Sequence, residues 1–102
     1  MKITVQELVV RLEKKDLVLI DVREPYETEI CTIKGSIFIP MGQIQNKRED
    51  LDLEKSYAII CHSGVRSQAV TNFLVQLGFD AVNVIGGIDM WAVEIDKKMV
   101  RY

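Results

Sequence analysis

Cys61, Gly64, Arg66 and Ser67 fall within one short stretch, Cys61-His62-Ser63-Gly64-Val65-Arg66-Ser67. The apolar run Tyr57-Ala58-Ile59-Ile60 leads into it, and Ser67 opens an amphipathic pattern that continues to Leu77 and Gly78. Amides at a helix start carry partial positive charge, so a cysteine placed there is favoured as the thiolate, the form that acts as nucleophile. If the loop curls, the backbone NH groups from His62 to Ser67 point inward at the sulfur as an anion-binding nest, with the Arg66 guanidinium adding its charge. Four residues separate Cys61 from Arg66. A ring of that size suits one sulfur atom carried on Cys61, whereas a tetrahedral phosphoryl group needs a wider one.

Such a site needs strands to hold it and a helix to open from it. Thr4-Val5-Gln6-Glu7 is a capping box. Val5, Leu8, Val9 and Leu12 follow at helical spacing, predicting a helix over 5–14 after a very short strand at Lys2-Ile3. Leu17 to Val22 is apolar on both faces, as a strand inside a parallel sheet is, and it ends in Asp21, Arg23 and Glu24 at the edge where α/β sheets place their sites. Pro25 starts a short helix to about Glu29, and Ser36 to Ile39 forms a short strand stopped by Pro40. Met41 to Ile44 is read as one helical turn and the charged stretch 46–50 as a solvated loop or helix face. Tyr57 to Ile60 is a strand and Ser67 to Leu77 a helix, with Ala69, Val70, Phe73, Leu74 and Leu77 on its apolar face and Thr71 on the polar one. Ala81 to Ile85 is a further strand, Gly86-Gly87 a sharp turn and Asp89 to Val93 a short last helix.

Alternating strands and helices predict a three-layer α/β fold with a mainly parallel sheet of four or five strands, whose order periodicity does not fix. The 102 residues, 48% hydrophobic, suffice for one domain spanning 1–102 without disulfide or metal. A net charge of -2 and no basic block argue against nucleic acid as a partner. No apolar run is long enough to cross a bilayer, and Glu7 and Arg11 interrupt any secretory signal, so the expectation is a cytoplasmic monomer away from membranes. Its two cysteines are read as thiols, and neither lies in a cluster that could hold zinc.

Other residues weigh less. His62 is expected to face solvent, a pH-dependent role in donor binding being the alternative. Cys31 is expected to be a partly buried thiol filling a turn, with a disulfide to Cys61 as the alternative. Asp21 and Arg23 are read as structural support, paired with each other or with loop backbone, and Trp91 as a core anchor.

The loop at Cys61 resembles the Cys-x-x-Gly-x-Arg-Ser loop of rhodanese-like domains. Asp21-Val22-Arg23-Glu24-Pro25-Tyr26-Glu27 is similar to that family's Asp-Val-Arg-x-x-x-Glu segment, and Ile33-Lys34-Gly35-Ser36 with Ile39-Pro40 to its Ile-Pro-Gly-Ala and Ile-Pro stretch. Gly78-Phe79, Val84, Gly86-Gly87 and Trp91 follow its tail, so the resemblance runs in order through about 4–93. It departs at Cys31-Thr32, where many members have Gly-His, and at Lys34 in place of proline.

The resemblance implies a thiosulfate sulfurtransferase of single-domain type that needs no cofactor. Cys61 would take a sulfane sulfur from an anionic donor, hold it as a persulfide and pass it to cyanide or to a thiol, including a protein thiol. The NH groups of 62–67 would stabilise the persulfide, and Arg66 would attract a thiosulfate-like donor in preference to mercaptopyruvate. Two alternatives stand beside it: a persulfide carrier or interaction module serving a sulfur-trafficking partner, and a phosphatase or arsenate reductase of related fold, whose loop is one residue longer.

Overall fold

The computed structural model describes residues 1–102. In chain order the elements are β1 (Lys2–Ile3), α1 (Val5–Lys14), β2 (Val18–Asp21), α2 (Pro25–Ile30), β3 (Ile37–Phe38), α3 (Ile44–Lys47), β4 (Ser56–Ile60), α4 (Val65–Gln76), β5 (Asp80–Val84) and α5 (Gly87–Glu94). All five strands run parallel, in the order β1-β5-β4-β2-β3. The strand that feeds Cys61 therefore lies at the centre, with a neighbour on each side.

Side-chain alternation divides the core in two. Ala58 and Ile60 of β4 join Leu19, Val84, Leu8 of α1 and Ile88 and Trp91 of α5 on one face of the sheet. Tyr57, Ile59 and Cys61 join Ile20, Val22, Ile44 of α3 and Val70 and Leu74 of α4 on the other. Because helices cover both faces, the central strands β2 and β4 carry apolar residues on both sides rather than alternating with polar ones. Each fully buried Leu or Ile among them contributes roughly 1.5–3 kcal/mol of transfer free energy. Trp91 is the core anchor expected of it.

The α1 helix keeps its expected bounds because both ends are fastened. The Glu7 amide donates to Thr4 Oγ1 at 3.1 Å and the Thr4 amide to Glu7 Oε1 at 3.0 Å, while Lys15 closes the other end in a left-handed conformation. Elsewhere the elements shift. The central helix begins at Val65, two residues before the expected Ser67, because Gly64 takes φ +112° and turns the chain directly into it. Thr71 proves buried in this helix, its hydroxyl donating to the Ser67 carbonyl at 2.7 Å and so removing its own polar tip. The stretch 41–50 is helical along its length: a 3-10 turn at Met41–Gln43, then α3, then a second 3-10 turn at Arg48–Asp50. Ile44 is buried and pins the middle of it, so the charged residues decorate short turns rather than a loop.

Pairing of β2 with β4 sets Asp21 level with Ile60, and the Val22 amide donates to the Ile60 carbonyl at 3.0 Å. The register thus brings the segment after β2 beside the segment after β4, at the carboxyl edge of the sheet.

Candidate active site

Cys61 follows β4 at the foot of the loop and is 1% exposed. Its Sγ accepts from the Gly64 amide at 3.1 Å and lies 3.1 Å from Ser67 Oγ. Of the amides from 62 to 67, only that of Gly64 donates to the sulfur itself. The reason is the early start of α4, which puts Val65, Arg66 and Ser67 in its first turn, where amides line up along the helix axis. Those three NH groups make no hydrogen bond within the protein. They remain free donors at the start of a helix, where partial positive charge gathers.

The curl of the loop is set by α5. The Ile88 amide donates to the Cys61 carbonyl at 2.9 Å and the Asp89 amide to the His62 carbonyl at 3.1 Å. Gly87 allows the close approach. It sits at φ +60°, and a Cβ there would lie 2.4 Å from the His62 oxygen and 2.5 Å from the Cys61 oxygen.

Arg66 does not reach freely over the loop. Its Nη1 donates to Glu27 Oε1 at 2.6 Å and its Nη2 to Glu27 Oε2 at 2.9 Å, a two-pronged pair. The Glu24 amide and the Tyr102 hydroxyl donate to the same carboxylate at 3.0 and 2.7 Å. Arg66 foremost, against the opposing effect of burial, brings the Glu27 carboxyl down to about 2. The partnership with Glu27 in turn raises the Arg66 pKa.

Asp21 and Arg23 do pair, below the loop and out of solvent. Arg23 Nη2 donates to Asp21 Oδ2 at 2.7 Å and to the Cys31 carbonyl at 2.7 Å, and Nη1 donates to the Tyr102 oxygen at 3.0 Å. Burial works against the guanidinium charge, yet the bonds to Asp21 and Tyr102 outweigh it and its pKa rises. Cys31 is a half-buried free thiol beside this guanidinium.

His62 is half-buried rather than facing solvent. The segment after α5 folds back so that the Tyr102 ring stacks on the imidazole, centroids 4.0 Å apart and planes 10° from parallel. Arg101 fastens that segment to Asp89 through bonds of 2.8 and 3.1 Å. Ser63 and Val65 are exposed on the rim.

Residues 4–94 match the family described as the rhodanese-like domain. The chain belongs to the rhodanese-like domain family. YtwF of Bacillus subtilis is 44% identical over 84 residues, spanning 82% of each chain. The thiosulfate sulfurtransferase GlpE of Coxiella burnetii is 35% identical over 81 residues, 78% of this chain and 76% of that one. A rhodanese-related protein of Thermoplasma volcanium superposes with a TM-score of 0.87 at 39% identity, covering 92% of both chains.

Three residues around this rhodanese-like loop went unassigned in the sequence. Glu27 stood in the Asp-Val-Arg-x-x-x-Glu segment without a role, although its place in the first turn of α2 marks it as a helix-start acceptor. Asn83 had a visible signal, a lone amide inside the apolar strand Ala81-Val82-Asn83-Val84. It accepts from the Ser67 hydroxyl at 2.5 Å. Tyr102 had none, because nothing in its neighbours foretells a return to His62.

Proposed function

We propose that this rhodanese-like domain transfers a sulfane sulfur through a persulfide on Cys61. The observation that carries the reading is one buried sulfur held against the Gly64 amide, with the first-turn amides of α4 unpaired within the protein. The Cys61 thiolate attacks the outer sulfur of a thiosulfate-like anion. A new S–S bond forms to Cys61, the donor's S–S bond breaks, and sulfite leaves with the electron pair. An acceptor thiolate, or cyanide, then attacks the outer sulfur and the Cys61 thiolate is released. Two half-reactions on one enzyme give ping-pong kinetics. Helix-start amides of Val65, Arg66 and Ser67 stabilise the outer, charged sulfur of the persulfide. Ser63 and Val65 border its entrance, and the Asp21–Arg23 pair supports the base.

A second reading, a carrier that hands its persulfide to a protein partner, gains from one observation. Arg66 is matched by Glu27, so the rim offers a small free anion less net positive charge than the residue types imply. Val65, 78% exposed on that rim, gives an apolar point of contact instead.

Intact-mass measurement after thiosulfate treatment tests the chemistry. Wild type is expected to gain one sulfur and Cys61→Ser none; an adduct that persists in the serine variant removes Cys61 from the role. Steady-state comparison of cyanide with a protein thiol as acceptor separates enzyme from carrier.

A further inference from the structure

Asn83 is 5% exposed and its side-chain amide has a defined orientation. The Gly64 carbonyl can only accept, so the NH2 group must be the end that faces it, at 3.2 Å; the same nitrogen donates to Gln68 Oε1 at 3.2 Å. Oδ1 is thereby turned to Ser67, whose hydroxyl donates to it at 2.5 Å. A hydroxyl has one proton. Given to Asn83, it is withheld from Cys61 Sγ, 3.1 Å on the other side, and Ser67 presents only lone pairs to the sulfur. That arrangement accommodates a thiol donating S–H to Ser67. A thiolate in the same place would be served by the Gly64 amide and denied the hydroxyl.

We propose that Asn83 is a positioning residue that holds the Ser67 hydroxyl away from Cys61 in the thiol form and releases it when the sulfur becomes a thiolate or persulfide. When the thiol proton is lost to solvent, the Ser67 O–H turns from Asn83 Oδ1 to the sulfur; no covalent bond in the protein changes, and Oδ1 gives up its donor. The lost Ser67–Asn83 bond is a cost of forming the reactive sulfur. The ionic groups around the loop are separate from this exchange: Arg66 is paired with Glu27, Asp89 with Arg101, Arg23 with Asp21, the His62 ring lies on Tyr102, and Lys2 lies beyond Asn83 on the adjoining strand.

The inference rests on Cys61 being the sulfur that reacts, but its test needs no sulfur transfer. The rate of Cys61 alkylation by iodoacetamide at neutral pH is measured for wild type, Asn83→Leu, Ser67→Ala and the double variant. With its competing acceptor gone, the Ser67 hydroxyl is free to support the thiolate, and Asn83→Leu is expected to react about fivefold faster than wild type. In the Ser67→Ala background the same substitution is expected to change the rate by less than about twofold. Acceleration of equal size in both backgrounds would mean a loosened loop and overturn the proposal, as would an unchanged or slower Asn83→Leu. Circular dichroism checks that each variant is folded, and Asn83→Ala supplies the same comparison if the leucine is not accommodated. Loss of persulfide formation with Ser67-dependent acceleration intact would count against sulfur transfer alone.

Discussion

Arg66 and Glu27, 39 residues apart in the chain, meet through two parallel hydrogen bonds of 2.6 and 2.9 Å. The pair joins the first turn of α4 to the first turn of α2 and is unequal in exposure. The Glu27 side chain is 3% exposed and that of Arg66 34%.

That inequality predicts unequal costs. Arg66→Met leaves a buried carboxylate with only the Glu24 amide and the Tyr102 hydroxyl, and is expected to lose about 3 kcal/mol. Glu27→Gln leaves a guanidinium that can turn to water but also turns an amide NH2 toward the donors around it, and is expected to lose about 2 kcal/mol. Urea denaturation of the two variants measures the order, and a larger loss in Glu27→Gln contradicts it.

The same carboxylate governs behaviour in acid. Its folded pKa of about 2 lies below its ordinary value of 4.5, so the folded state binds fewer protons than the unfolded state between those values. Its contribution to stability is complete above pH 4.5 and is lost as pH falls toward 2. Stability of wild type should decline across that window, and more shallowly in Glu27→Gln. Parallel declines in the two proteins would show that other carboxylates account for it.

Tyr102 contributes through both its ring and its hydroxyl. Burial foremost pushes its phenol up to about 12. Wild type should therefore show a phenolate absorbance transition near that pH which Tyr102→Phe lacks. Tyr102→Phe keeps the stack on His62 and should lose about 1 kcal/mol for the hydroxyl between Arg23 and Glu27, while Tyr102→Ala loses the stack as well and should be the less stable of the two. Thermal unfolding of both variants provides the comparison.

Gly87→Ala tests the contact between α5 and the loop. A methyl group 2.4 Å from the His62 oxygen forces the backbone apart at a left-handed position, and a loss of about 3 kcal/mol or more is expected together with loss of sulfur uptake. A stable, active alanine variant would mean that the loop does not depend on this approach.

Much of this site could be read from local pattern. Cys61 at a strand end, the capping box of α1 and the apolar run of β4 each announce themselves within a few residues, because hydrogen bonding and burial there are short-range. Serine is a good cap and points to a helix start at Ser67, whereas the left-handed turn at Gly64 opens α4 two residues earlier with no side-chain cap. Strand order, the Glu27 partnership and the Tyr102 stack depend on residues brought together by topology, and spacing along the chain carries no record of them. The helical turn at Met41 to Ile44 is legible, but its continuation through Lys47 to Asp50 is not, because one buried side chain, Ile44, organises the stretch, too few for a period to show.

The carbonyls of Cys61 and His62 are held by amides of α5, outside the loop they belong to. A peptide whose oxygen is anchored outward has its NH turned the other way, so the shape of the cradle is moulded from behind, and Ser63 and Val65, exposed at the front, take little part in keeping it. Those two positions form an interchangeable rim on a fixed seat. Substitutions at Ser63 and Val65 can then alter what the rim presents without altering the seat behind it.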